Sequence, residues 1–279
     1  MPPPCVFGIV NITEDSFSDG GRYLDPSDAI GHARALVAAG AQVIDLGASA
    51  SNVDARPVSA AEEICRLDPV IAALAAEGTP ISVDSFLPEV QRFAIKRGAA
   101  VLNDIQGFPD PSFYSELAAA SCRLVVMHAV QARGRAQRME LGPDEVWNRI
   151  HYFFVERVAA LERGGIARER LILDPGMGFF LSKRPEASLR VLTGLDRLKR
   201  DFGLPVLVSV SRKSFLRAIT GRASALEMGA ATLAAEIYAA EMGADYIRTH
   251  DPGALADALK VLAALRSEGG AVFRANLPD

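Results

Sequence analysis

The feature that most constrains this chain is an alternation repeated along its length. A short β-rich apolar run is followed by a longer stretch with apolar residues at helical spacing. The β-rich runs fall at residues 6–11, 42–47, 80–85, 100–104, 123–128, 171–174, 205–211 and 246–250. Parallel strands need a long crossover, so repeated βα units predict a parallel sheet. Eight units over roughly 250 residues predict an α/β fold, a (β/α)8 TIM barrel, with an open doubly wound sheet as the rival. The first unit lacks the G-x-G-x-x-G turn of a dinucleotide site. No linker, low-complexity tract or change of composition divides the sequence, so residues 1–279 are expected to form one domain.

The intervening stretches carry local helix signals. Ile30, Ala33 and Val37 share one helical face, as do Ile64, Leu67, Ile71 and Leu74. Ser59 and Glu62 have the spacing of a capping box. Gly40, Gly78 and Gly98 stand where helices are expected to stop.

With 49% hydrophobic residues in 279, the chain can bury a sizeable core. A net charge of −4 argues against a general nucleic-acid or acidic-membrane binder, so any anion site must be a local patch. No run approaches the ~20 apolar residues of a membrane span. The opening MPPPCVFGIV lacks the charged and apolar regions of a signal peptide. Cys5, Cys65 and Cys122 are too widely spaced for a metal site or a disulfide framework and read as reduced thiols. These features together predict a cytoplasmic protein with small-molecule partners.

Every β-rich run ends in something polar. The ends carry Asn11, Asp45, Asp84, Asn103 with Asp104, His128, Asp174, the run Ser211-Arg212-Lys213-Ser214, and Arg248 with His250. Loops after barrel strands open on one face, where barrel active sites are built, so these residues are expected to converge. Arg212, Lys213, Arg248 and His250 form a cationic half suited to phosphate or pyrophosphate, unless they pair with acidic strand ends. Asp84, Asn103 and Asp174 form an acceptor half, suited to the N–H groups of a polar heterocycle or to Mg2+ shared with substrate phosphates. Asp45 reads as a residue that fixes the turn after the second strand. Asp15, Asp19, Gly20 and Gly21 make the first loop either a cover for substrate or a solvated turn. Met127 and Phe179 either stack on a planar ligand or belong to the core. His32 and His151 fall within helical stretches and receive no role. A lysine at a barrel strand end also fits a Schiff-base aldolase, with Lys213 as the amine.

The stretches FGIVNITEDSFSDGG, VIDLG, ISVDS, LNDI, VVMH, LILDPGMGF, SVSRKSFL and IRTH, in this order over residues 7–250, resemble dihydropteroate synthase. ITEDSF, DARPVS, LNDIQGFPDP, LDPGMGFFLS and VSVSRKSF are most similar to its sulfonamide-resistant Sul-type branch. The resemblance implies a (β/α)8 homodimer that condenses 6-hydroxymethyl-7,8-dihydropterin pyrophosphate with 4-aminobenzoate, giving 7,8-dihydropteroate and pyrophosphate. It implies that Asp84, Asn103, Asp174 and Lys213 hold the pterin, with Met127 against its ring. It gives Asn11, Arg248 and His250 to the pyrophosphate and its Mg2+, with Asn11 as the metal-side residue. Ser214, with Gly178 and Phe179, would border the aminobenzoate site. A related pterin-binding methyltransferase shares the pterin pocket but needs no pyrophosphate site.

Two departures stand out. The family's G-E-S-T-R-P-G loop is replaced by Ala48-Ser49-Ala50-Ser51-Asn52-Val53-Asp54-Ala55, with Arg56 as a substitute cation. The family's G-F-G-K-T becomes Gly178-Phe179-Phe180-Leu181-Ser182. The expectation is that Phe180 and Leu181 narrow the region a sulfonamide needs and the substrate does not.

Overall fold

The structure, a computed structural model, describes residues 2–13, 25–49, 56–130 and 139–275, with side chains as far as residue 267. Strands and helices alternate along it: β1 (Cys5–Asn11), α1 (Pro26–Ala38), β2 (Val43–Gly47), α2 (Ala60–Ala76), β3 (Ile81–Asp84), α3 (Pro88–Lys96), β4 (Val101–Asp104), α4 (Tyr114–Ala119), β5 (Arg123–Met127) and α5 (Pro143–Arg163). The second half continues with β6 (Leu171–Asp174), α6 (Pro185–Leu192), α7 (Leu195–Phe202), β7 (Leu207–Val208), α8 (Ser214–Thr220), α9 (Gly229–Glu241), β8 (Tyr246–Thr249) and α10 (Pro252–Ala275). The strands pair in parallel in the order β6-β5-β4-β3-β2-β1-β8-β7, and a parallel bridge between Leu173 and Val206 closes the ring. This is the expected TIM barrel.

The closing seam is its weakest part. The reading of a strand over 205–211 shrinks to Leu207–Val208. Pro205 has no N–H to give the ladder, and only its carbonyl takes part, accepting from Leu173 N at 2.9 Å. Beyond Val208 the chain leaves the ladder to form the turn that carries Ser211, Arg212 and Lys213.

Because side chains alternate across a strand, each strand serves two cores. Val6, Ile44, Val83, Leu102, Val126, Leu173, Val208 and Ile247 face outward and pack with the helices in the main hydrophobic core. Phe7, Val43, Val101, Val125, Ile172 and Leu207 form a separate cluster, the inward set that plugs the barrel. Leu67, Ile71 and Leu74 of α2 are fully buried, as their spacing predicts, each worth about 1.5–3 kcal/mol of transfer.

Two local expectations change. The buried face of α1 is Ala29, Ala33 and Leu36, while Val37 stands exposed; three small or aliphatic positions spaced by four and three define the seam better than Val37 does. The capping box of α2 forms only by half. Ser59 Oγ accepts from Glu62 N at 3.3 Å, but the Glu62 carboxylate turns to Arg66 at 2.6 Å and Arg56 at 2.8 Å, where two cations hold it better than one backbone N–H.

Candidate active site

The site begins two residues above the apolar plug. Moving two positions along the same inward face leads from Val43 to Asp45, from Val101 to Asn103, from Val125 to Met127, from Ile172 to Asp174 and from Tyr246 to Arg248. Asp84 ends β3 in register with Gly47 and Asn103. The acidic, amide and basic tips therefore share one layer at the C-terminal ends of the strands.

Arg248 organises that layer. Its Nη2 lies 2.5 Å from Asp45 Oδ2 and 2.6 Å from Asp84 Oδ2, with all three side chains largely withdrawn from solvent. Two carboxylates hold its guanidinium far on the charged side. Asp45 is thus not a turn residue. It lies mid-strand, almost fully buried, and burial raises its carboxyl while Arg248 opposes that shift. The division into a cationic and an acceptor half does not hold either, because Arg248 joins the two. Its Nε and Asn103 Oδ1 are buried without a hydrogen-bond partner among the described residues, one donor and one acceptor left for a ligand.

Asp174 is buried, and burial raises its carboxyl to about 6 against the Gly176 N–H, 2.8 Å from Oδ1, and the nearby Lys213. Lys213 is lowered to about 8, first by burial and then by Arg248, with Asp174 and Asp84 acting the other way. Its ammonium stands 5.2 Å from the centre of the Phe180 ring. Gly178 adopts φ +65°, and a methyl group there would come within 2.9 Å of Ser214 Oγ and 3.5 Å of Lys213 Cβ. That close approach brings Gly178, Lys213 and Ser214 together and requires glycine. On the other side, a methyl group at Gly47 would lie 3.6 Å from Asn11 Oδ1 and 3.8 Å from Asp84 Cβ, so Asn11 and Asp84 converge around it. His250 follows β8 with its Nδ1 2.8 Å from Ser211 Oγ.

The apolar wall is a third cluster, Ile105, Met127 and Phe180 with Phe86, Ala129 and Phe179 packed against it. Phe179 remains half-buried. Leu181 corrects an expectation: it is fully buried in the main core, turned away from the mouth. Of the Phe180-Leu181 pair, only Phe180 reaches the wall.

Two polar strand ends also leave the site, for the reason of alternation. His128 follows the inward Met127 and points outward, buried against Phe153, with Nδ1 3.3 Å from Pro175 O, and burial lowers it to about 4. Asp104 follows Asn103 and is held by Gln91 Nε2 at 2.9 Å and Gln106 N at 2.7 Å. His151 lies on α5, 3.8 Å from Asp201. Asp15, Asp19, Gly20, Gly21 and residues 50–55 lie outside the described residues.

The residues present fit Mg2+ in a limited way. Among the described residues no three carboxylate, histidine or cysteine side chains gather as a metal group. At the end of β1, the Asn11 amide and the buried, unpartnered Thr13 Oγ1 supply oxygen chemistry for a hard cation. Such a set suits an ion carried by substrate phosphates.

Comparison with known proteins gives the family and the fold. Residues 7–250 match the family of pterin binding enzymes. A dihydropteroate synthase type-2 of Escherichia coli is 59% identical over 261 residues, 94% of this chain and 96% of its own. The chain belongs to the dihydropteroate synthase family. A Xanthomonas albilineans dihydropteroate synthase solved with 4-aminobenzoic acid superimposes with a TM-score of 0.85 at 38% identity, over 95% of this chain and 93% of that one. The same organism's enzyme in complex with 7,8-dihydropteroate gives 0.81 at 37% identity, over 95% and 94%.

Sequence reasoning passed over the support of this site. Asp45 was legible as a polar strand residue, and its position two residues above Val43 was the available signal for an inward role. Ile105 and Phe86 have no such signal, because they belong to loops whose course only the fold sets.

Proposed function

We propose that this chain, as one domain over residues 1–279, is a dihydropteroate synthase acting in folate biosynthesis. It condenses 6-hydroxymethyl-7,8-dihydropterin pyrophosphate with 4-aminobenzoate to give 7,8-dihydropteroate and pyrophosphate. The observation that carries the reading is one layer holding Asp84, Asn103, Asp174, Lys213 and Arg248 beside an aromatic wall, in a chain of this family.

The chemistry follows from that layer. Asn103 Oδ1 and the Asp174 carboxylate accept from N–H groups of the pterin, and Met127 packs on its ring. Lys213 donates to a pterin acceptor. Arg248, His250 and Asn11 face the pyrophosphate. As the C–O bond breaks, the leaving group gains charge, and cations fixed in place beforehand stabilise that charge more in the transition state than in the ground state. Positive charge develops on the pterin methylene, where Asp84 and Asp174 stabilise it through the ring. The arylamine attacks from the opposite side, at the Ser214, Gly178 and Phe179 edge, with no covalent enzyme intermediate. When bound, Mg2+ neutralises part of the pyrophosphate charge, with Asn11 on its protein side.

The enzyme is of the sulfonamide-insensitive type, with Phe179 and Phe180 supplying bulk at the aminobenzoate edge. It works as a cytoplasmic homodimer; no helix among the described residues is long and apolar enough to cross a membrane. Incubation with dihydropterin pyrophosphate, labelled 4-aminobenzoate and Mg2+ is expected to yield labelled dihydropteroate and one equivalent of pyrophosphate. Absence of pyrophosphate release would overturn the reading, and it also separates condensation from methyl transfer.

A further inference from the structure

The turn between β7 and α8 is built against its own backbone preference. Lys213 N donates to Val210 O at 3.2 Å, which closes a four-residue turn over Val210, Ser211, Arg212 and Lys213. Arg212 has φ +58°, and Ser211 is not among the positive-φ residues. Positive φ at the third position alone is the type II pattern, which favours glycine there. An arginine in that conformation is strained and persists only when the surroundings hold it. The hold is visible: Arg212 N donates to Thr232 Oγ1 of α9 at 3.1 Å, and Thr232 is buried.

The strained turn sets Ser211 against His250. Ser211 is 3% exposed, and its Oγ makes two contacts with one residue that follows the neighbouring strand β8. His250 N donates to it at 3.2 Å, and His250 Nδ1 lies 2.8 Å away. A hydroxyl has one hydrogen to give and two lone pairs. The backbone N–H must be a donor, so one lone pair is taken. If Nδ1 also carried a hydrogen, the hydroxyl hydrogen would have no acceptor among the described residues, in a buried position. If Nδ1 is bare, every group is satisfied. The imidazole is also kept neutral, first by burial and then by Arg212, Arg248 and Lys213.

We propose that Ser211 is a positioning residue that locks His250 in its neutral Nε2–H tautomer, so that the ring offers the pyrophosphate a donor and no acceptor. This rests on the reading of His250 as a pyrophosphate residue. A fixed N–H selects an unprotonated phosphate oxygen and adds no further cation to a layer that already holds Lys213 and Arg248.

The chain has four histidines, so nitrogen NMR on histidine-labelled protein can resolve each ring. His250 is assigned by the signal lost in H250Q. At neutral pH the wild-type His250 is expected to show protonated Nε2 and bare Nδ1. S211A is expected to show a mixture of tautomers, with the KM for dihydropterin pyrophosphate raised about tenfold and kcat within about twofold. S211T restores the hydroxyl and is expected to restore both readouts. His128 serves as the folding control, since its own signals do not depend on this contact.

A wild-type His250 protonated on Nδ1, or an S211A ring still purely Nε2–H, would overturn the proposal. Inorganic pyrophosphate with Mg2+ separates this result from the function itself. If the protein makes no dihydropteroate, yet pyrophosphate shifts the His250 Nε2–H signal in wild type and not in S211A, the synthase reading fails and the tautomer lock stands.

Discussion

The two inward layers of the barrel sit on the same strands, one pleat apart, and differ in almost every chemical respect. The lower layer is Phe7, Val43, Val101, Val125, Ile172 and Leu207, a dry plug. The upper layer substitutes Asp45, Asn103, Met127, Asp174 and Arg248 for apolar neighbours two residues earlier. The plug stabilises the fold by transfer and packing and needs no partner. The upper layer needs partners, and its charges are raised, lowered or paired by burial. The difference shows how one short strand carries both duties: geometry is fixed below, and chemistry is exposed just above it.

The comparison predicts that mutations in the two layers separate activity from stability, and Arg248 is where that separation should break. R248A leaves Asp45 and Asp84 as uncompensated buried carboxylates, so a loss of about 3–5 kcal/mol in stability is expected. Dihydropteroate formation should vanish with it. Urea unfolding alongside the activity assay checks both; an R248A protein as stable as wild type would show that the ion pairs are not what holds the layer.

D174N and I172A form the clean pair, two residues apart on β6. D174N removes the charge proposed to bind the pterin and stabilise its methylene cation, so kcat/KM is expected to fall about 10²–10³-fold. Its stability should hold or rise, since a buried carboxyl raised to about 6 weakens the fold at neutral pH. I172A should cost about 2–5 kcal/mol of stability and leave kcat/KM of the folded fraction unchanged. Equal losses of activity in both variants would mean that the layers act as one.

How much of this was legible in the sequence follows from the same alternation. The barrel was readable because eight apolar runs recur between helical stretches, and the site because each run ends in a polar residue. The failures lie one residue off. Asp104 and His128 sit at strand ends as the pattern predicts, yet face outward, because whether a strand's last polar residue is inward depends on its register. Leu181 entered the core for a similar reason: a short 3-10 turn at 178–180 rotates it away from the Phe180 side. Asp45 looked like a turn residue because nothing local to it names a partner; Arg248 lies about two hundred residues further along the chain.

A pH profile sharpens the upper layer. In the proposed roles, Asp174 must be ionised to accept from the pterin and Lys213 must be protonated to donate. With their values at about 6 and about 8, kcat/KM for dihydropterin pyrophosphate is expected to be bell-shaped, falling below the first and above the second. K213R should move the alkaline limb upward while keeping the acid limb. An alkaline limb that stays in place would assign it to another group.

The smallest effect concerns a buried acid in the outer shell. Glu236 of α9 is 1% exposed, hydrogen-bonded to Thr249, and raised by burial and by Asp251 from 4.5 to about 8. Between those values the folded chain holds a proton that the unfolded chain has released. The native state then binds more protons than the unfolded state, so stability falls as pH rises through the window, by at most about 1.4 kcal/mol per unit. E236Q has no such proton to lose. Its unfolding free energy should therefore vary less between about pH 5 and pH 8, and its advantage over wild type should grow towards the upper end. Parallel pH dependences in the two proteins would mean that Glu236 is ionised in the native state, stabilised by a donor other than Thr249.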